Sequence, residues 1–188
     1  MREPKLLTLR ILLVGLLLSA VLAGAAVQHI LAVSSGTELT FTAQAFDPRA
    51  LLTGHYAQVT YAISRPMTDE ELAIPSSKSW QPVWVAIVPN EGDWKVASIT
   101  AKKPAAAPAD GRLVAAEARY LSGTSARLRY GIERIYAQQK EAEAISNAVR
   151  GGPTGDSKVQ VVASLGKDGR LRIKAIIVDG TRTDFTWW

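Results

Sequence analysis

Histidine chemistry is the first possibility to weigh, because this chain of 188 residues contains no cysteine and only two histidines, His29 and His55. Without thiols, thiol catalysis and thiolate metal sites are excluded. His29 falls in an uncharged apolar run, so a multi-histidine metal site cannot form within one subunit. A serine nucleophile would need His55 as its base, yet no Gly-x-Ser-x-Gly elbow is present. The sequence therefore predicts no catalytic residue, no metal ligand and no cofactor.

Two alternatives with acid–base chemistry stay open. The first is an envelope hydrolase in which His55 activates a serine. In the second, carboxylates act as general acids and bases, the candidates being Glu133, Glu141 and Glu143. Such residues more often form a solvated face or an ion pair, here between Glu133 and Arg49 or Arg134. We therefore expect the protein not to be an enzyme.

The segment around His55 also has a plain structural interpretation. It reads Asp47-Pro48-Arg49-Ala50-Leu51-Leu52-Thr53-Gly54-His55-Tyr56-Ala57-Gln58-Val59-Thr60-Tyr61. Asp47 and Pro48 favour a turn, and Gly54 permits the backbone that a turn before a strand needs.

Two tyrosines in this segment are predicted to differ in exposure. Tyr56 and Tyr61 are five positions apart, so in a regular strand they point to opposite faces. Tyr61 shares its phase with Val59 and Ile63, which predicts a buried ring whose hydroxyl reaches a backbone acceptor. Tyr56 is then the more exposed ring. Alternatively, it lines a binding groove together with Arg49 and His55.

The same segment resembles the signature of the GDYXXLXY-motif proteins, in which a Pro-Arg turn leads into Gly-Asp-Tyr-x-x-Leu-x-Tyr. Gly54, Tyr56 and Tyr61 match fixed positions of that motif. His55 stands where the family has Asp, which removes a carboxylate, and Val59 conservatively replaces Leu.

Later parts of the chain extend this resemblance. The stretch Tyr130-Gly131-Ile132-Glu133-Arg134-Ile135-Tyr136 and the final hairpin ending at Val178-Asp179-Gly180 are similar to later blocks of the family. The similarity thus covers the chain from about Ser35 to Gly180. It implies a membrane-anchored protein with an exported domain, and it implies no activity.

The N-terminal apolar run indicates where the domain resides. Ile11–Val33 comprises 23 residues without Asp, Glu, Lys or Arg, about 34 Å of helix, enough to cross a hydrocarbon core of about 30 Å. Arg2, Lys5 and Arg10 precede it, and positively charged flanks stay in the cytoplasm. We expect a single-pass anchor in the cytoplasmic (inner) membrane, with residues 1–10 as a cytoplasmic basic tail, 11–33 as the anchor and 34–188 as an extracytoplasmic domain. The alternative is a secretory signal cleaved after Ala23-Gly24-Ala25.

Period-two patterning predicts that the exported part is a mainly β (α+β), antiparallel β-rich domain with one short helix. Strands are predicted at Leu39–Ala45, Tyr56–Ser64, Val83–Val88, Trp94–Thr100, Arg112–Tyr120, Ala126–Ile132, Val159–Leu165 and Arg170–Val178. A loop is predicted over Lys102–Gly111 and a helix over Gln138–Val149.

Two hairpins follow from the same pattern. One turns at Asn90-Glu91-Gly92-Asp93 and the other at Gly166-Lys167-Asp168-Gly169. In the second hairpin, the predicted facing sets are Val159, Val161, Ala163 and Leu165 on one strand and Leu171, Ile173, Ala175 and Ile177 on the other.

Charge and composition favour a membrane-tethered interaction module. The net charge of +5 and the isoelectric point near 9.6 are not accompanied by a basic run with interleaved aromatics, so nucleic acid is not expected as a partner. The C-terminal Phe185-Thr186-Trp187-Trp188 suits an interface or the membrane surface. The expected partners are the lipid bilayer and another membrane or envelope protein.

Overall fold

A computed structural model describes residues 3–45, 56–65, 79–122, 125–136 and 159–185. Within these residues one long helix, α1 (Glu3–Ser34), precedes a short 3₁₀ helix and a set of strands. The strands are β1 (Thr37–Thr42), β2 (Gln44–Ala45), β3 (Tyr56–Thr60), β4 (Gln81–Asn90), β5 (Asp93–Thr100), β6 (Arg112–Ser122), β7 (Ser125–Arg129), β8 (Arg134–Tyr136), β9 (Val159–Leu165), β10 (Leu171–Val178) and β11 (Thr181–Asp184).

The strands form three antiparallel sheets, ordered β1-β9-β10-β11, β2-β3-β8 and β5-β4-β6-β7. This confirms the predicted antiparallel β-rich class. Lys102–Gly111 is irregular, as its two prolines predict. The predicted helix over Gln138–Val149 lies outside the described residues.

The helix α1 has the length and composition of a membrane span. Its segment Thr8–Ser34 is the one helix in the described ranges that is long and apolar enough to cross a membrane. The side chains from Thr8 to Leu31 are exposed, whereas Val33, in the last turn, is buried. The helix also begins well before Ile11, inside the basic tail.

The last turn of α1 is joined directly to the β domain. The Ser164 hydroxyl on β9 donates a hydrogen bond to the carbonyl oxygen of Ala32, at 3.1 Å. Gly36, between α1 and β1, lies so close to β9 that a Cβ would overlap Ser164 Oγ and stand 2.7 Å from the carbonyl oxygen of Leu165. Helix and sheet are therefore packed against each other with no flexible linker between them.

The core lies where the three sheets meet. Alternation along the first predicted strand is confirmed, because Leu39, Phe41 and Ala43 are buried. The Phe41 ring lies 5.8 Å from that of Tyr61, edge to face, and 6.4 Å from that of Trp94. These three aromatics come from segments of different sheets, so apolar burial holds the sheets together.

The β4–β5 hairpin forms as predicted. Asn90 pairs with Asp93 across Glu91 and Gly92, whose φ values of 49° and 84° are those of a primed two-residue turn. The Asp93 carboxylate accepts the backbone N–H groups of Trp94, at 2.8 Å, and of Thr42, at 3.2 Å. The turn is thereby tied to the end of β1.

The β9–β10 hairpin also forms, but half of its predicted facing pairs are wrong. Leu165 pairs with Leu171 and Ala163 with Ile173, as expected. A bulge between Ile173 and Ala175 then shifts the register, so that Val161 faces Ile176. The extra residue, Lys174, reaches the Glu38 carboxylate at 2.7 Å, and its carbonyl oxygen accepts the Phe185 N–H at 2.8 Å.

Two predicted strands are too long. The one expected over Tyr56–Ser64 ends at Thr60, and Ala62–Ser64 forms the 3₁₀ helix instead. The Ser64 hydroxyl accepts the Tyr61 N–H at 3.2 Å, while the Ser64 N–H donates to the Tyr61 carbonyl at 2.9 Å, which closes a turn. The strand expected over Ala126–Ile132 ends at Arg129.

Candidate functional site

The predicted motif residues are only partly described. Asp47, Pro48, Arg49, Gly54 and His55 lie outside the described residues, so the His55 hydrolase and a groove around it stay predictions. The backbone of Tyr56 pairs with that of Tyr136 at the β3–β8 edge. Val59 and Tyr61 are described in full, and both are buried.

Tyr61 is buried as its strand phase predicts, with 2% of its surface exposed. Its hydroxyl donates a hydrogen bond to the carbonyl oxygen of Ile132, at 2.6 Å. Burial raises the pKa of the phenol well above its ordinary value, and the nearby Glu133 charge raises it further. Tyr61 is therefore a neutral structural donor inside the core.

Tyr130 makes a matching contact in the opposite direction, which the sequence interpretation missed. Its buried hydroxyl donates to the carbonyl oxygen of Ile63, at 2.9 Å. Burial, and then the charge of Glu133, raises the pKa of this phenol as well. The two tyrosines thus tie the segments 61–64 and 130–133 together reciprocally.

Glu133 holds the turn that carries Tyr130. One carboxylate oxygen accepts the Tyr130 N–H at 2.5 Å, and the other accepts the Gly131 N–H at 3.0 Å. The Glu133 carbonyl oxygen also accepts the Val59 N–H at 3.0 Å. Both carboxylate oxygens thus accept backbone N–H groups, which supports a structural role rather than acid–base chemistry. Arg49, one of the predicted ion-pair partners of Glu133, lies outside the described residues.

A cleft of about 900 Å³ opens beside these segments. Five arginines contribute to its lining, namely Arg65, Arg127, Arg129, Arg134 and Arg170. Three carboxylates also line it, of which Glu133 is bonded to backbone N–H groups and Asp168 to Arg172. The lining therefore carries an excess of positive charge.

One wall of the cleft contains Arg127 and Arg129, which belong to an arginine cluster built by the β6–β7 hairpin. Arg119 pairs with Arg127 in the ladder, and the guanidinium carbons of Arg119 and Arg129 lie 5.3 and 3.8 Å from the centre of the Trp80 ring. Burial lowers the pKa of the Arg127 guanidinium, and the positive charges of Arg65, Arg119 and Arg129 lower it further. Mutual repulsion of this kind is relieved when an anion binds.

Another wall of the cleft is formed by the β9–β10 turn, which contributes Asp168 and Arg170. Asp168 forms a two-pronged ion pair with Arg172, at 2.7 and 3.2 Å, and also accepts the Arg170 N–H at 3.1 Å. The carbonyl oxygen of Gly169 accepts a hydrogen bond from the Ala115 N–H at 2.8 Å. With a φ of 78°, it lies so close to Trp84 that a Cβ would stand 2.8 Å from Cη2 and closer to Cζ3. The turn is therefore fixed against the neighbouring sheet.

This arrangement can bind anions. Guanidinium groups present forked donors that match carboxylate and phosphate oxygens, and stacking on an aromatic ring orients the fork. Among the described residues no group of three or more His, Asp or Glu side chains is placed to hold a metal ion. The sequence interpretation missed this cluster, because its arginines come together only through the β6–β7 register.

Comparison with known proteins gives one match. The model of a family described as "GDYXXLXY protein" matches residues 18–176. No curated protein and no solved structure matches the chain significantly. The matched range runs from the middle of α1 into β10, and it includes the motif segment and both walls of the cleft. The resemblance noted in the sequence is thereby confirmed, and the chain belongs to the GDYXXLXY family.

Proposed function

We propose that the protein is a membrane-anchored module that acts by binding rather than by catalysis. In this proposal α1 is retained as a single-pass anchor in the cytoplasmic membrane, with its N-terminus inside. The β domain stands on the extracytoplasmic side and binds another component of the membrane or envelope through the arginine-lined cleft.

The observation that carries the proposal is the packing of the last turn of α1 into the β domain. Val33 is buried there, and Ala32 accepts the Ser164 hydrogen bond. Cleavage after Ala25 would leave nine residues of helix, with Val27, Ile30 and Leu31 about half exposed to water. A retained helix places these side chains in lipid instead, which is their favourable environment.

Charge supports the orientation and the binding role. Arg2, Lys5 and Arg10 flank the N-terminal end of the apolar segment, where positive residues stay cytoplasmic. At the other end, the cleft lining combines several guanidinium groups with Tyr136, which is 60% exposed, and one of these groups, that of Arg129, stacks on Trp80. Arginine and large aromatics are the residues enriched at binding surfaces.

Topology can be tested with single cysteines, because the natural chain has none. We expect a membrane-impermeant maleimide to label Ser98→Cys, on the exposed part of β5, in intact cells. Thr8→Cys should be labelled only after the cells are lysed. Labelling of Thr8→Cys in intact cells, or recovery of a mature chain starting at Ala26, would contradict the anchored topology.

Binding can be tested by photo-crosslinking in living cells. A photoreactive phenylalanine at Tyr136, in the cleft, should form discrete adducts, whereas the same residue at Glu91, in the β4–β5 turn, should not. Arg129→Glu should abolish the adducts, and Lys95→Glu, a matched charge reversal outside the cleft, should preserve them. A fluorophosphonate probe that labels the wild type but not His55→Ala would instead support the hydrolase alternative.

A further inference from the structure

The position of the bilayer relative to the cleft follows from the exposure of α1. Side chains from Thr8 to Leu31 are exposed, and burial against the domain begins at Ala32 and Val33. Leu9–Leu31 is about 34 Å of helix, which matches a hydrocarbon core of about 30 Å crossed with slight tilt. The outer hydrocarbon boundary therefore falls beside Leu31, immediately below the Ser164 contact.

The β9–β10 turn stays close to this boundary. Ser164 touches Ala32, and Asp168 comes four residues later, so the two Cα atoms are at most about 14 Å apart. The headgroup layer adds about 5–7 Å on each side of the core, and charges act over a Debye length of about 8 Å beyond it. The turn is thus within electrostatic reach of lipid phosphates.

The exposed charges on the β9–β10 turn are predominantly positive. Lys167 and Arg170 are exposed on the turn, and the one carboxylate there, Asp168, is neutralised by Arg172. Arg129 also lines the cleft, and its guanidinium carbon lies 3.8 Å from the centre of the Trp80 ring. A phosphate in the cleft can therefore meet guanidinium donors from both Arg129 and Arg170.

We propose that this cleft binds the phosphate headgroup of an anionic phospholipid, with Arg129 and Arg170 as its contacts. The inference rests on the proposed function, and it names the ligand of that site. Location favours a lipid over an acidic protein segment: α1 holds the β9–β10 turn within electrostatic reach of the headgroups, so this ligand is present at high local concentration.

The test uses the full chain embedded in nanodiscs. The protein is released from the nanodiscs in the mass spectrometer, and native mass spectrometry identifies the lipid that stays bound to it. Phosphatidylglycerol and phosphatidylcholine with identical acyl chains are compared. We expect the wild type to retain phosphatidylglycerol preferentially. Each arginine lost should reduce this preference about fivefold, so that Arg129→Gln/Arg170→Gln reduces it about 25-fold.

The matched control is Lys95→Gln/Arg112→Gln, which removes the same charge outside the cleft lining and should leave the preference unchanged. If the double variant does not fold, the single variant Arg170→Gln, at an exposed position, should still reduce the lipid preference about fivefold. Equal retention of both lipids by the wild type, or an equal loss in the control, overturns the inference. Failure of the wild type to enter nanodiscs overturns the proposed function itself.

Two soluble probes separate the sources of the anion. Glycerol 3-phosphate should displace retained phosphatidylglycerol only at far higher concentration, because it lacks the membrane's local enrichment. Displacement at equal concentration would assign the cleft to a soluble phosphate. Tighter binding of a polyglutamate peptide than of the lipid would assign it to an acidic protein segment. Either result overturns the lipid assignment.

Discussion

The reciprocal tyrosine contacts lead to a double-mutant prediction. Tyr61→Phe removes the donor to the Ile132 carbonyl, and Tyr130→Phe removes the donor to the Ile63 carbonyl. Each change leaves a buried acceptor without its partner, which costs about 1–3 kcal/mol. For a chain of this size, each kilocalorie lowers Tm by about 2–4 °C.

The two losses should not add. Both hydroxyls join the segment 61–64 to the segment 130–133, so the first substitution already loosens the contact that the second would remove. We expect the double variant to be less destabilised than the sum of the singles, with a coupling of about 0.5–3 kcal/mol. Tyr61→Ala, which also removes the ring packed on Phe41, should cost more, about 3–5 kcal/mol.

The assay is urea unfolding of the full chain in detergent, followed by tryptophan fluorescence. Trp94 packs on the Phe41 ring and reports on the core. Tyr120→Phe, at a half-buried ring, is the control and should stay within about 0.5 kcal/mol of the wild type. Wild-type stability in both single variants would refute the buried hydrogen bonds, and strict additivity would refute the shared connection.

Three further predictions concern other parts of the fold. Gly169→Ala should destabilise the domain by about 1–3 kcal/mol, which is more than Gly180→Ala. Both glycines have positive φ, but only Gly169 lies against Trp84. Equal losses of Tm in the two variants would contradict this. Gly36→Ala should lower Tm by forcing α1 away from β9, whereas Gly24→Ala, with open space around it, should not. Hydrogen bonds from Arg182 and then from Lys174 hold the pKa of Glu38 at about 2, below its usual 4.5. Its ion pairs should therefore stabilise the fold fully above pH 4.5 and lose that effect as the pH falls towards 2. Glu38→Gln should remove this part of the acid dependence, and an unchanged acid titration would contradict the assignment.

Patterns with a regular period were predicted well from the sequence. Val59 and Tyr61 share a buried face because alternation over a few residues suffices to place them. The β4–β5 turn was equally predictable, since Glu91-Gly92 between two apolar runs favours a primed turn. The prediction of α1 as an apolar helix long enough to span a membrane required only composition and length.

Interruptions of that period were not predictable. The bulge at Lys174 inserts one residue and moves every later pair on β10, and its benefit, the contact with Glu38, comes from a distant strand. The arginine cluster depends on a similar shift between Tyr120 and Ser122 on β6, which brings Arg119 opposite Arg127. An unshifted hairpin would have placed Leu128 there, so the sequence alone gave no sign of the cluster.

The direct junction between α1 and β9 has a mechanical consequence. A transmembrane helix changes its tilt when the bilayer becomes thicker or thinner. Gly36 packs against β9, and Ser164 is hydrogen-bonded to the last turn of α1. Because of these contacts, the β domain turns together with the helix as one rigid unit. A strand of eight residues is about 26 Å long, so a tilt change of about 10° displaces its far end by about 4–5 Å. In a bilayer, membrane thickness would thus change the position of the distal β4–β5 turn relative to the membrane surface.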